Sequence, residues 1–301
     1  MLKVGGRLVI TPFIPDPLID DIAQGRCIPF IGAGFSKNAV TYDGTTLPDW
    51  QELAAALTPS IPDNTEGLAC AEIAQLYEDQ FGRVGLLQRI SDELGRSSPK
   101  PGTAHEALTR LPWDLIYTTN FDNLIERAYE DLRKSVVVIT DDNEMSFLGG
   151  RSSLTVVKMH GDIQHRNQIV ATTHDYERYL MTHPVMATHL SAMFITKSFL
   201  FIGYSLSDPN VASINRIIGQ RLGNFKRRSY WIGFDVENSQ PPELGGERIN
   251  TISISTKNER DDSSKTDLLV KLLSTILDRV ESKINPYASS PALAIRGRGF
   301  L

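Results

Sequence analysis

Four short stretches carry side chains suited to chemistry, and each is a polar break at the end of an apolar run. The first is Cys27-Ile28-Pro29-Phe30-Ile31 running into Gly32-Ala33-Gly34-Phe35-Ser36. Glycine lets a backbone approach a ligand with no Cβ in the way, and amides at a helix start point at an anion. The turn reads either as an ordinary strand-to-helix connection or as a phosphate cradle. In the second reading the amides of Gly32, Ala33, Gly34 and Phe35 hold the anion and the Ser36 hydroxyl adds a donor. It is not the dehydrogenase fingerprint, whose third glycine falls here on Lys37 and whose acidic strand end, about 20 residues on, is missing. The second stretch, Thr118-Thr119-Asn120-Phe121-Asp122, sets a carboxamide and a carboxylate two residues apart at a strand-to-helix corner. Such residues hold water or hydroxyls, but they also cap helices. The third, Met159-His160-Gly161-Asp162, puts an imidazole at a strand end, where it accepts a proton near neutral pH or serves only structure. The fourth, Gly203-Tyr204-Ser205, is a second glycine-and-hydroxyl turn fit for a ribose or phosphate, and Asp208-Pro209-Asn210 after it opens a helix with Asp208 as its cap.

The elements that must position these residues follow from periodicity. Apolar runs at 27–31, 113–119, 136–139, 154–159, 198–202, 230–234 and 250–254 read as strands. Helical patterns fall at 17–24, from Pro48 to Leu57, at 66–81, 83–94, 103–110, 121–133, 174–196, after Asp208 to about 222, and at 263–281. Near-continuous apolar strands separated by helices predict an α/β fold with a parallel sheet covered on both faces. Ligands of such sheets sit outside the carboxyl ends of the strands, which is where all four motifs fall. The block at about 45–110 is all helical and reads as an insertion, with a smaller helical segment at about 174–196. Residues 1–284 are expected to form one catalytic domain, and 285–301, rich in Pro, Ala, Ser and Gly, a tail that is frayed or docks on a partner. Asp49, in Leu47-Pro48-Asp49-Trp50, is a further candidate, with capping of the following helix the plainer reading.

Composition narrows the function classes. A chain of 301 residues with 41% hydrophobic and 22% charged residues suits a globular protein with a sizeable core. Its net charge of −5 advertises no nucleic-acid site, and no apolar run approaches the roughly 18 residues of a membrane span. There are two cysteines, Cys27 and Cys70, and no Cys-x-x-Cys, so neither a disulfide framework nor a zinc ribbon is indicated, and a cytoplasmic location is expected.

The set Gly-Ala-Gly-Phe-Ser, Thr-Thr-Asn-Phe-Asp, Met-His-Gly-Asp and Gly-Tyr-Ser-Leu-Ser-Asp-Pro-Asn, in this order over residues 27–215, resembles the sirtuin-like NAD hydrolase family of bacterial anti-phage defence systems. The resemblance implies a sirtuin-type Rossmann-like parallel sheet with a helical insertion. It implies NAD as substrate and no metal, with Asn120 and His160 as the catalytic pair, Asp122 beside them and Thr119 among the residues that hold NAD. It also implies assembly into a homo-oligomer or action with a partner such as a HerA-type motor ATPase or an Argonaute. Deacylating sirtuins share these motifs but add a four-cysteine zinc module, which two cysteines cannot build, so no zinc module is expected. The leading expectation is cleavage of the nicotinamide–ribose bond to nicotinamide and ADP-ribose, with host death by NAD depletion as the defence. The nicotinamide leaves neutral, so no general acid is needed. An oriented water and groups that stabilise an oxocarbenium-like ribose are. On this reading Asn120 holds the water or ribose hydroxyls, His160 accepts a proton, and Asp122 holds the nicotinamide amide or orients the water. The alternatives are an NAD-dependent protein deacylase or ADP-ribosyl transferase, or an NAD or ADP-ribose sensor without turnover.

Overall fold

The computed structural model describes residues 12–61, 64–149, 154–165, 168–236, 242–256 and 264–285, so the expected tail, Asn285 apart, lies outside the described residues. Its sheet is built from β1 (Cys27–Ile31), β2 (Leu115–Thr118), β3 (Val136–Ile139), β4 (Leu154–Lys158), β5 (Ser198–Ile202), β6 (Ser229–Phe234) and β9 (Asn250–Ile254). The order is β3-β4-β2-β1-β5-β6-β9, with every pairing parallel. β1 is central: the chain leaves it towards β2 on one side and later returns through β5 on the other. The crevice at β1 is therefore the switch point at which open α/β sheets bind ligands. A short antiparallel hairpin, β7 (Glu243–Leu244) and β8 (Glu247–Arg248), stands apart from the sheet.

Alternation along each strand divides the core in two. Cys27 and Ile31 of β1, Ile116, Val156, Leu200 and Ile202 face one cluster, against α1 (Asp16–Ala23), α5 (Thr103–Arg110), α6 (Leu124–Glu130) and α10 (Lys265–Ile284). Ile28 and Phe30, Tyr117, Val157, Phe199 and Phe201 face the other, against α7 (Thr173–Thr182), α8 (Pro184–Thr196) and α9 (Pro209–Leu222). Both faces are covered, as continuous apolar strands require. A third cluster belongs to α3 (Trp50–Leu57) and α4 (Cys70–Gly95), which rest on Phe121, Leu124, Ile169 and Ala171 beyond the strand ends. A single turn, α2 (Ala33–Ser36), follows β1 directly.

The differences from the expected elements have local causes. The helix expected over 121–133 is confined to α6, because the Asp122 carboxylate accepts the Leu124 N–H at 3.1 Å and holds the corner open through Asn123. The segment 174–196 divides at His183 into α7 and α8, where Pro184 has no N–H to continue the first helix. The helices expected at 66–81 and 83–94 are the two arms of α4, which starts at Cys70 and kinks at Gly82 (φ +73°, ψ 165°). Neither the hairpin nor the 3₁₀ turn Asp142–Phe147 was expected from periodicity, since each is too short to show one.

Candidate active site

The register of the sheet brings the second and third motifs together. Thr118 of β2 pairs with Lys158 of β4, so Asn120 and His160 each lie two residues beyond the same rung. Both are buried, and both line one cavity together with Ala33, Thr119 and Asp122. Thr118 fixes the turn: its hydroxyl donates to the Ile31 carbonyl at 3.0 Å and accepts the Asn120 N–H at 3.0 Å. The Asn120 side chain does not cap a helix. Its Nδ2 donates to the Gly32 carbonyl at 3.1 Å and to Ser36 Oγ at 2.9 Å, and Ser36 Oγ in turn donates to Asp122 Oδ2 at 2.7 Å. A carbonyl only accepts, so the amide group must face Gly32 and Oδ1 must face the other way. Among the described residues that Oδ1 is buried with no partner, a cost structures seldom carry without a ligand or water to meet it. Asp122 has both oxygens engaged, one by Ser36 and one by the Leu124 amide.

The two glycine turns meet each other. Gly32 N–H donates to the Ile202 carbonyl at 3.0 Å, Gly34 N–H to Gly203 at 2.8 Å and Phe35 N–H to Gly32 at 2.9 Å, so three of the four expected cradle amides are held by protein carbonyls. Gly203 has φ +61°, and a Cβ on it would lie 2.1 Å from the Phe35 nitrogen. Its glycine serves this close approach. Tyr204 lies in the core against Phe30 and Phe201, with its hydroxyl buried and unpartnered among the described residues, while Ser205 is exposed and its hydroxyl lies 2.6 Å from that of Ser207. Of the predicted phosphate and ribose residues, Ala33 and Thr119 reach the cavity.

Asp208 is the residue whose part at the site the sequence did not show. Its Oδ1 caps α9 as expected, accepting the N–H groups of Asn210 and Val211 at 2.9 Å each. Its Oδ2 lies 2.8 Å from His160 Nε2, off the line a straight hydrogen bond would take, with both side chains 5% exposed. Burial pushes the carboxyl up, but His160 and the two amides outweigh it and hold the group below the usual carboxylate range. An ionised carboxylate only accepts, so a hydrogen between the two belongs to His160 Nε2, and a neutral imidazole of that tautomer has its lone pair on Nδ1. Tyr176 meets the imidazole edge-on at 5.2 Å. Asp49 is the N-cap of α3 in a capping box with Glu52, and it also pairs with Lys37 at 2.6 Å.

Residues 114–252 match the SIR2-like domain family. A curated NAD(+) hydrolase ThsA of Acinetobacter baumannii is 31% identical over 219 residues, 72% of this chain and 44% of that protein. One of Bacillus cereus is 30% identical over 239 residues, 78% of this chain and 48% of that protein. The chain belongs to the SIR2-like family. A defense-associated sirtuin 2 of Bacillus subtilis is 24% identical and aligns over 62% of this chain and 19% of its own length. This SIR2-like chain spans less than half the length of the ThsA proteins it matches, 44–48%.

The SIR2-like site is roofed by α3, α4 and α7. Pro48, Asp49, Trp50 and Leu53 cover it from one side, Leu94 and Tyr176 from the others, and what they leave encloses about 50 Å³. Neither cysteine takes part: Cys27 is buried in β1, where burial pushes its thiol up to about 12, and Cys70 starts α4. Among the described residues no cluster of His, Cys, Asp and Glu could hold a metal ion, and no helix is long and apolar enough to cross a membrane.

Proposed function

We propose that this chain hydrolyses the nicotinamide–ribose bond of NAD, releasing nicotinamide and ADP-ribose, and that the loss of NAD serves defence against phage. One observation carries the reading: a buried Asn120 Oδ1 with no partner among the described residues shares a cavity with His160, whose Nε2 lies 2.8 Å from the Asp208 carboxylate. An acceptor oxygen of fixed direction suits a ribose hydroxyl or the attacking water, and the Nδ1 lone pair suits the proton that the water or hydroxyl gives up. The ribose passes through an oxocarbenium-like state, for which Asp122 and Asp208 supply nearby negative charge. Asp122 acts through Ser36, holding the hydroxyl that holds Asn120. The names of the ThsA relatives support the same activity, and that of the defense-associated sirtuin supports the role. Residues 1–284 form the catalytic unit in this proposal. Its control comes from assembly with copies of itself or from a partner protein in trans, since unchecked NAD loss kills the host.

The test is direct. Purified protein incubated with NAD should release nicotinamide and ADP-ribose in equal amounts without any acyl-lysine peptide. Asn120→Ala should lower kcat by at least about 100-fold, the scale of losing an oriented catalytic group. Nicotinamide formed only when peptide is present would make the protein a deacylase, and wild-type rates in Asn120→Ala would remove Asn120 from the site.

A further inference from the structure

Lys158 is the last residue of β4, two positions before His160, and its side chain is 0% exposed. A lysine is almost never fully buried unless it is paired, and here all its partners but Glu126 lie on the turns that carry Asn120 and His160. Its Nζ donates to the Asp122 carbonyl at 2.5 Å and lies 3.5 Å from the Phe121 carbonyl, the two backbone groups that follow Asn120. It pairs with Asp162 Oδ2 at 2.5 Å, closing the turn in which His160 sits, and with Glu126 Oε1 of α6 at 3.0 Å. The turn of Asn120 is tied to that of His160 a second time, by the Ile163 N–H donating to the Phe121 carbonyl at 2.9 Å.

We infer that Lys158 is a positioning residue for the reaction: one buried cation that staples the Asn120 turn to the His160 turn and so sets the spacing of the two groups. This rests on the NAD hydrolase reading above. The geometry favours it over a purely stabilising ion pair. A pair serving stability alone needs one carboxylate, whereas this ammonium spends a hydrogen bond on a backbone carbonyl of the catalytic loop and adds a side-chain tie between two loops that the β2–β4 register and the Ile163–Phe121 bond bring side by side. Burial opposes the charge, but Glu126, Asp162 and Asp122 together hold the lysine protonated. Well-placed catalytic groups tolerate little movement, and a displacement near 1 Å costs on the order of 100-fold in rate.

Removing the lysine alone would leave two buried carboxylates unpaired, so the informative variant is neutral: Lys158→Met with Glu126→Gln and Asp162→Asn. Replacing a buried ion cluster by apolar residues of similar volume is often harmless to stability, and the Gln and Asn amides keep the shape of the two carboxylates without their charge. This variant should melt within a few degrees of wild type and keep its KM for NAD within about threefold while kcat falls about 100-fold, the mark of misplaced catalytic groups rather than lost binding. Asp162→Asn alone, which keeps the lysine and loses one of its anchors, should lower kcat about tenfold on the same pattern. Wild-type nicotinamide release with kcat of the neutral variant within about threefold of it overturns this inference and leaves the NAD hydrolase reading intact; a loss carried by KM alone does the same. If the neutral variant does not fold, Asp162→Asn decides by the same criterion. A wild-type protein that releases no nicotinamide overturns both.

Discussion

At the scale of single residues the site is a set of groups whose freedom has been removed. Asn120 has its amide turned by Gly32 and Ser36, and His160 has its Nε2 held 2.8 Å from the Asp208 carboxylate. Asp208 does two jobs that one substitution separates. Asparagine caps a helix about as well as aspartate, so Asp208→Asn keeps the start of α9. Its carboxamide, however, can donate to His160 Nε2, which would move the imidazole hydrogen to Nδ1 and remove the lone pair that takes the proton. The expected result is a kcat lower by about 10³-fold, comparable to tautomer errors in other His-based sites, with unfolding free energy changed by less than about 1 kcal/mol. Denaturant melts beside nicotinamide assays check both halves. A rate that stays within threefold of wild type would show that Asp208 only caps its helix.

At the scale of elements, α5 carries a histidine with no catalytic part. His105 is 1% exposed, its Nδ1 accepts the Gly102 N–H at 3.2 Å, and its ring meets Phe35 edge-on at 4.8 Å. Burial pushes its pKa down to about 4 against the opposing pull of Asp122. The unfolded chain binds a proton here near pH 6.5, so between about pH 6.5 and 4 it holds more protons than the native state, and stability falls as pH falls. At pH 5 this amounts to about 2 kcal/mol relative to pH 7 and above. Replacing it by His105→Gln, which can still accept the Gly102 N–H, should flatten the unfolding free energy across that window by this amount. Equal pH slopes in the two proteins would show that His105 titrates in the folded state as it does unfolded.

Elements were also what the sequence showed best. Each apolar run became a strand of the parallel sheet, since burial on both faces writes itself as unbroken hydrophobicity. Partners across the fold were less legible. Tyr204 follows a glycine at a strand end like a ligand residue, yet the side chain turns down onto Phe30 and Phe201, a direction set by packing. Asp208 showed only its local cap because His160, its other partner, comes from the turn after β4. Lys158 did leave a signal, a charge inside the run Leu154-Thr155-Val156-Val157-Lys158-Met159 with an acid four residues on, but its carbonyl partners lie on another loop.

For the whole molecule, the decisive contrast is between the cavity and its proposed substrate. About 50 Å³ holds a water or two, whereas ligand pockets run to roughly 300–1,000 Å³. The roof must move, and the packing allows it. α3 and α4 bury their apolar faces in a cluster separate from the two that flank the sheet, so they can shift without opening either. They are held down by their apolar contacts with Phe121, Leu124, Ile169 and Ala171 and by polar ties: Lys37 beside the glycine turn pairs with Asp49 and Glu52 at 2.6 and 2.9 Å, and Arg83 of α4 pairs with Asp175 of α7 at 2.8 Å. Such part-exposed pairs are worth about 0–1 kcal/mol each, weak enough for a ligand to displace. A pyrophosphate at the glycine turn would compete with Asp49 and Glu52 for Lys37, coupling arrival of NAD to release of the roof. In Asn120→Ala protein, whose turnover should be at least about 100-fold slower, saturating NAD should therefore change amide exchange across 47–57 and 173–182 while leaving α10 and the central strands as they were. Exchange unchanged in the roof of a protein that demonstrably binds NAD would mean that substrate enters without lifting it, and the ion pairs at Lys37 would then serve only to anchor α3.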